Sequence, residues 1–131
     1  MSKEQSQNPT RAGGGRFLFE FASLARMHVG GSYSTAEGPV VEGERMQVGL
    51  ITLRRGSPAR PHSHPNEQWT YVLKGKARVS VAGQAETIAA PGTLIYAPAN
   101  VEHWVEALPD EDVVFFTVKD RSSGMVGTPA P

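Results

Sequence analysis

Three of the four histidines in this 131-residue chain lie in two short segments that can bring several metal-binding groups together. His62 and His64 are two residues apart, and residues two apart in a strand point to the same face. Gln68 opens the next predicted strand after a short turn, so its amide oxygen can approach the same point. His103 begins a strand after another turn, so it can arrive from a different part of the fold.

These donors suit one divalent ion of the first transition row. Imidazole nitrogens together with one oxygen bind Mn, Fe, Co, Ni or Zn and leave positions open for water or substrate. A His-X-His pair alone is weak evidence, because single histidines more often pack at the surface or in the core. The third histidine and the turn residues that flank both segments favour the metal site. His28 has no histidine near it in the sequence, and we interpret it as structural.

The elements that must position these donors are short apolar runs separated by turn residues, and we find no long stretch with helical periodicity. Residues 38–43 (GPVVEG) indicate a turn region. Short strands at a spacing of about ten residues, with Gly and Pro between them, predict an all-β fold, an antiparallel sandwich or barrel. The predicted strands are residues 17–21, 46–53, 68–73, 77–81, 86–89, 93–96, 103–108 and 113–118.

The length fits a single domain. We expect residues 16–121 to form that domain, because residues 1–15 are polar and Gly-rich and residues 122–131 are rich in Gly, Ser and Pro. The first of these segments is predicted to be a flexible arm and the second a flexible tail.

Composition narrows the class of partner and location. Thirteen basic and thirteen acidic residues cancel, so no basic field attracts nucleic acid or anionic lipid, and we expect neither nucleic acid nor a membrane as partner. The sequence has no cysteine, which excludes disulfides and thiolate chemistry and agrees with a cytoplasmic location. A small-molecule substrate remains as the expected partner.

The two histidine segments resemble the two sequence motifs of the cupin superfamily. The first motif, Gly-X5-His-X-His-X3-acidic-X6-Gly, is matched by Gly56, His62, His64, Gln68 and Gly75. In the second, which runs Gly-X5-Pro-X-Gly-X2-His-X3-Asn, the matching residues are Gly92, Pro98 and His103. The resemblance covers about residues 43–118 and implies an antiparallel jelly-roll β-barrel with His62, His64, Gln68 and His103 as metal ligands.

This chain departs from the family pattern at three positions. Gln68 replaces the acidic ligand, and the neighbouring Glu67 should point to the opposite face. Asn100 replaces a glycine, and asparagine can still adopt a left-handed turn. Ala107 replaces the final asparagine of the second motif.

The neutral Gln68 implies a function. A bound divalent ion would keep its full charge, which favours Lewis-acid catalysis. The site is similar to those of the uronate ring-opening cupins of pectin and alginate degradation and of the isomerase cupin of bacilysin biosynthesis, although the uronate group carries an acidic residue near the position of Thr117. The resemblance therefore implies isomerase or lyase chemistry on a small oxygenated metabolite. An Fe(II)-dependent dioxygenase and a non-catalytic small-molecule-binding cupin remain alternatives.

Acid–base catalysis would need a titratable group beside the metal, and the candidates are Arg60, Tyr96 and Arg121. Arg60 is either a clamp for a carboxylate or a solvated surface residue. The alternation of its strand does not decide which face Tyr96 occupies.

The outer face of the 68–73 strand predicts self-association. If Gln68 points inward, then Trp69, Tyr71 and Leu73 point outward, and exposing their apolar area costs about 25 cal/mol per Å². We expect a homodimer to cover them, with residues 17–21 as a candidate strand of the interface. The alternative is that residues 30–44 cover this face within one chain.

Overall fold

The structure, a computed structural model, describes residues 5–31, 34–125 and 128–129, the last pair by backbone only. The parts of the predicted arm and tail at residues 1–4, 126–127 and 130–131 lie outside the described residues. Within the described ranges the chain forms strands and one short 3-10 helix, Phe21–Ser23. The strands are β1 (Thr10–Arg11), β2 (Arg26–His28), β3 (Glu37–Glu42), β4 (Met46–Leu53), β5 (His62–Ser63), β6 (Gln68–Lys74), β7 (Ala77–Val81), β8 (Thr87–Ala89), β9 (Leu94–Ala97), β10 (His103–Ala107), β11 (Val113–Asp120) and β12 (Thr128–Pro129).

These strands form two sheets. One has seven strands in the order β1-β3-β4-β11-β6-β9, with β2 also paired to β3, and the other has five in the order β12-β5-β10-β7-β8. The all-β prediction is confirmed. The strand pairing is consistent with a jelly roll, but the hydrogen-bonded ladders of the described residues make two separate sheets rather than one closed cylinder.

The alternating pattern of β4 and β11 explains how the core forms. In both strands every second residue is buried, and the two strands pair antiparallel along their full length. The alternation of apolar side chains therefore buries one face of the seven-stranded sheet against the other sheet. The core that results includes Val40, Ile51, Val72, Ala77, Val113 and Phe115.

The turn predicted at residues 38–43 is wrong, since Glu37–Glu42 is strand β3. Gly and Pro indicated a turn, but β3 pairs with β1, β2 and β4, and its four central residues are buried. Gly38 has a specific reason to be glycine, because a Cβ there would collide with the Leu50 carbonyl oxygen. Close approach of two backbones, rather than a reversal, explains this glycine.

The strand predicted at residues 17–21 is also wrong. These residues form no ladder, and Phe21 begins the 3-10 helix. Phe17 and Leu18 are exposed at 78% and 92%, whereas the Phe21 ring packs 6.3 Å from that of Phe116.

Parts of the predicted arm and tail pair with the sheets. Thr10–Arg11 lies parallel to β3, and Thr128–Pro129 lies antiparallel to β5. In the residues that the structure describes, no helix has the length and apolarity needed to cross a lipid bilayer. The cytoplasmic location stays a prediction.

The turn between β6 and β7 depends on Gly75, which has φ +77° and whose added Cβ would collide with the Asp112 carbonyl oxygen. Gly83 has a similar φ of +70° but nothing within 4 Å of an added Cβ. We expect Gly83→Ala to lower the free energy of unfolding by about 1 kcal/mol, the conformational cost alone. Gly75→Ala should lower it by at least about 1 kcal/mol more, because backbone must also move. Urea denaturation measures both, and equal losses would contradict the role of the Asp112 contact.

The residues of β6 predicted to face outward, Trp69, Tyr71 and Leu73, are exposed in the single chain, and Tyr96 of β9, whose face the sequence left open, is exposed beside them. Trp69 and Tyr96 are each 41% exposed and stack with their ring centroids 4.5 Å apart. Of the 30–44 segment, the described residues 37–42 form β3 inside the sheet, and the aromatic pair stays exposed. The homodimer stays a prediction. We expect light scattering to give twice the chain mass and Trp69→Glu to halve it, because a charge opposes apolar burial, whereas a monomeric wild type would refute the dimer.

Candidate metal centre

Both sheets contribute to one cluster of donors. His62 in β5 and His103 in β10 are directly paired across the five-stranded sheet, and Gln68 begins β6 in the other sheet. The buried His64 lies between β5 and β6. Asn100, with φ +61°, adopts the left-handed conformation expected of it, and its N–H donates to the His64 carbonyl oxygen over 2.7 Å. This bond links the two sequence motifs.

The three histidines predicted as ligands come together. Their ligand atoms lie within 4.8 Å of one another. The His103 ring is 4.4 Å from that of His62 and 4.8 Å from that of His64, centroid to centroid. The group can hold a metal ion, because atoms each about 2.1 Å from a shared ion lie about 3.0–3.4 Å apart, a separation that small side-chain movements reach.

Each histidine has one ring nitrogen occupied by backbone. Nδ1 of His62 lies 3.1 Å from a carbonyl oxygen, that of His64 lies 3.0 Å from one, and that of His103 lies 2.9 Å from one. A carbonyl oxygen only accepts, so each Nδ1 carries the proton and each Nε2 keeps a lone pair. The backbone therefore sets the tautomer in which Nε2 can bind a metal. The three carbonyls belong to Arg60, Asn66 and Val101.

The electrostatics keep the rings uncharged at neutral pH. Burial, with the neighbouring His103, lowers the pKa of His62 to about 4. Burial and then the nearby Lys119 charge lower the pKa of His64 to about 4. Burial also lowers the pKa of His103. Metal ligation needs neutral imidazole, so no proton has to be displaced at pH 7.

Gln68 faces the histidines through its oxygen. Its Nε2 donates to the Thr117 hydroxyl oxygen over 2.7 Å, and that hydroxyl donates its own proton to the Trp69 carbonyl oxygen over 3.2 Å. Thr117 can therefore only accept from the amide, which directs Oε1 toward His64. The second hydroxyl, on Thr70, lies 3.4 Å from that of Thr117 and is the donor of the pair.

Two features of the cluster fit a cation. The Gln68 Oε1 atom lies 3.0 Å from His64 Nε2, and both atoms present lone pairs to each other. The buried His103 Nε2 has no hydrogen-bond partner among the described residues. Facing acceptors and an unsatisfied buried acceptor cost free energy unless a positive charge lies between them. The residues present therefore fit a divalent ion.

The cluster opens into a largely apolar cavity of ≈ 70 Å³ between the two sheets. Pockets for drug-sized ligands occupy about 300–1,000 Å³, so this cavity suits a much smaller molecule. Its lining includes Ile51, Val79, Ile95, Val105 and Phe115, together with His62, Gln68, His103, Thr117, Lys119 and Met125.

Lys119 is the functional candidate that the sequence reasoning missed. It is 5% exposed, and its Nζ donates to the Met125 carbonyl oxygen over 2.6 Å. The signal was present in β11, whose buried positions alternate through Phe115, Thr117 and Lys119. A lysine in phase with the core positions of a strand points inward.

The residues after β11 close over the site, although the sequence predicted a flexible tail from residue 122. The side-chain amides of Gln47 and Asn66 each donate to the carbonyl oxygens of Asp120 and Ser123 over 2.7–3.0 Å. These bonds bring Met125 into the cavity wall.

The two residues predicted to catalyse do not join the cluster. Tyr96 lies on the outer face of β9, where its hydroxyl donates to the Glu67 carboxylate over 3.0 Å, because Ile95 and Ala97 occupy the inward positions. Glu67 is exposed on that face, as expected. Arg60 is exposed and lies outside the described cavity lining, and His28, interpreted as structural, contacts the Gly31 carbonyl oxygen over 2.6 Å.

The third candidate, Arg121, contacts the turn between β3 and β4. Its guanidinium donates to the carbonyl oxygens of Gly43 and Glu44 and pairs with the Glu42 carboxylate at 2.9 Å. Arg121 therefore holds the β3–β4 turn and lies outside the described cavity lining.

Two curated proteins are similar in sequence to part of this chain. Oxalate decarboxylase OxdC of Bacillus subtilis is 36% identical over 74 residues, which cover 53% of this chain and 19% of that protein. An uncharacterised protein of Streptomyces coelicolor is 34% identical over 58 residues, 44% of this chain and 54% of that one. The chain thus spans about a fifth and about half of the length of these two relatives.

Among solved structures, a cupin-like protein of Thermotoga maritima aligns with a TM-score of 0.54 at 31% identity, over 59% of this chain and 58% of that one. KdgF of Halomonas aligns with a TM-score of 0.55 at 24% identity, over 60% of this chain and 72% of that one, which shows a shared fold. The cupin domain family model matches residues 49–119, which are more than half of the chain and include all four candidate metal ligands. This chain belongs to the cupin domain family.

Proposed function

We propose that this protein is a metal-dependent enzyme of the isomerase or lyase type that acts on a small oxygenated metabolite. His62, His64, His103 and Gln68 are the metal ligands. The observation that carries the proposal is the pair of lone-pair atoms, Gln68 Oε1 and His64 Nε2, which face each other at 3.0 Å. With the proton on Nδ1 and a pKa of about 4 lowered by burial, His64 supplies no proton of its own to that gap at neutral pH.

The ligand set determines the kind of chemistry. A divalent ion supplies Lewis acidity toward a substrate carbonyl or hydroxyl oxygen. Three neutral imidazoles and a neutral amide carry no charge to offset that of the ion. A carboxylate at position 68 would offset half of it, so Gln68 favours polarisation of substrate over stabilisation of a higher oxidation state.

The remaining residues bind, orient and exclude water. Thr117 holds the Gln68 amide in one orientation, and the backbone carbonyls hold the three imidazoles. The apolar walls of the cavity limit the water around the reacting atoms and strengthen electrostatic interactions there. Lys119 is the one titratable side chain of the described lining besides the histidines, so it is our candidate for proton transfer in place of Tyr96.

The relatives support this class of reaction. The Bacillus subtilis relative is named as a decarboxylase that acts on oxalate, a small oxygen-rich acid, and it matches 53% of this chain. Because the match spans 19% of that protein, it supports the class of substrate and reaction and does not extend to the particular activity.

The first experiment is elemental analysis of untagged protein prepared without chelators. We expect about one equivalent of a transition metal in the wild type and a loss of it in His103→Ala, because that change removes the buried Nε2. The matched control is His28→Ala, which removes an exposed histidine that contacts Gly31. Zinc, manganese or nickel would support Lewis-acid chemistry, and iron would favour the dioxygenase instead. A wild type that stays metal-free after reconstitution would refute the proposal.

The orientation of Gln68 gives a second prediction. Thr117→Val keeps the side-chain shape but removes the acceptor for the Gln68 amide, so we expect metal affinity to fall about 10–100-fold, the usual cost of losing an outer hydrogen bond to a ligand. Thr117→Ser keeps the hydroxyl and should stay near the wild-type affinity. Competition with a chromogenic chelator measures both. Wild-type affinity in Thr117→Val would show that Thr117 does not orient the ligand.

A further inference from the structure

We propose that the Lys119 ammonium is the anion-binding group of the cavity, and that the substrate is a small carboxylate that places its carboxyl group against Lys119 and a second oxygen toward the histidine cluster. This inference deepens the proposed function and rests on it for the second oxygen only. Contact between the ammonium and a carboxylate does not need the ion.

The positive charge of Lys119 is not balanced by the described side chains around it. Lys119 is 5% exposed, and no carboxylate side chain is among the described residues that line its cavity. The adjacent Asp120 points the other way, where its carboxylate accepts from the backbone N–H groups of Glu67 and Ser122 over 2.7 Å. A buried cation that meets no carboxylate among the described residues is strongly unfavourable, so the cavity favours an anion.

The Lys119 ammonium has more N–H donors than the described residues have acceptors for it. An ammonium group has three N–H donors, and among the described residues only the Met125 carbonyl oxygen accepts from Lys119. That bond holds the side chain extended within a wall of apolar residues, with two donors left for a ligand. Burial lowers the pKa of Lys119 to about 8, so the group is still mostly charged at neutral pH, and a bound anion would favour the charged form further.

The cavity places Lys119 close to the histidine cluster. Lys119, His62 and His103 line the same cavity of ≈ 70 Å³, and Lys119 is paired across β11 and β6 with Gln68. A ligand of only a few heavy atoms can therefore reach both. The metal ligands are neutral, so a divalent ion would add to the positive charge of Lys119. Together these charges select an acid whose second oxygen lies next to its carboxyl group.

The test is calorimetric titration of the full chain, both metal-free and loaded with one equivalent of Zn²⁺. The anionic probes are pyruvate and malonate. The neutral probe is butane-2,3-dione, which has two adjacent oxygens like pyruvate but no carboxylate. The variant is Lys119→Met, which keeps an unbranched apolar side chain. Lys76→Met is the matched control, because it removes an equal charge from an exposed residue outside the cavity.

We expect the wild type to bind at least one carboxylate more tightly than the dione. Lys119→Met should weaken that carboxylate at least tenfold and leave the dione and the Zn²⁺ stoichiometry unchanged, and Lys76→Met should match the wild type. A smaller loss in Lys119→Met, or a wild type that binds neither carboxylate or prefers the dione, would overturn the inference. The same comparison on the metal-free wild type needs no variant and has no ion to bind the carboxylate, so a preference for the dione there overturns the inference even if Lys119→Met does not fold.

The two proposals fail in different ways. If the protein takes up no Zn²⁺ but the metal-free form binds a carboxylate through Lys119, the metal-dependent function fails and the anion site stands. If Zn²⁺ binds with the expected stoichiometry but carboxylate affinity does not depend on Lys119, the metal centre stands and this inference fails.

Discussion

The structure depends on the pairing of β11 with strands on both of its sides. β11 is antiparallel to β4 along one edge and to β6 along the other, so it has no exposed edge at its centre and every second side chain must point inward. The same alternation that puts Val113 and Phe115 in the core puts Thr117 and Lys119 in the cavity. The hydrophobic face of the sheet and the polar groups of the site are therefore one feature of one strand.

The donors of the candidate metal centre are oriented mostly by backbone. Three carbonyl oxygens set the tautomer of the three imidazoles, and a fourth backbone contact, from the Asn100 N–H to the His64 carbonyl, joins the two motifs. Only Gln68 is oriented by a side chain, that of Thr117. This arrangement explains why an asparagine is accepted in place of the family's glycine, since Asn100 reaches the required left-handed conformation.

Charge distinguishes this site from one that holds an acidic ligand. Gln68 is a neutral residue where the family motif has an acidic one, and Lys119 adds a positive charge to the cavity wall. Both changes act in the same direction, because each makes the enclosed space more favourable for an anion. In an apolar cavity such charges interact more strongly than in water, so two residues can decide which small molecules enter.

The sequence by itself determined the all-β class, the main strands from residue 46 onward and the three histidines of the cluster. It could do so because alternation and His-X-His spacing are local properties of a strand. It also determined that Trp69 faces outward and Glu67 faces away from the ligands, for the same reason.

Only the tertiary structure decided the features that depend on which strands meet. The apparent turn at residues 38–43 is strand β3 because β1, β2 and β4 pair with it, and the described residues 17–21 form no ladder. The register of β9 against β6 places Ile95 and Ala97 inward, so Tyr96 faces away from the cluster. The pairing of β11 with β6 places Lys119 opposite Gln68 and so beside the cluster. Register and strand order arise from contacts between residues far apart in the chain, which no local pattern contains.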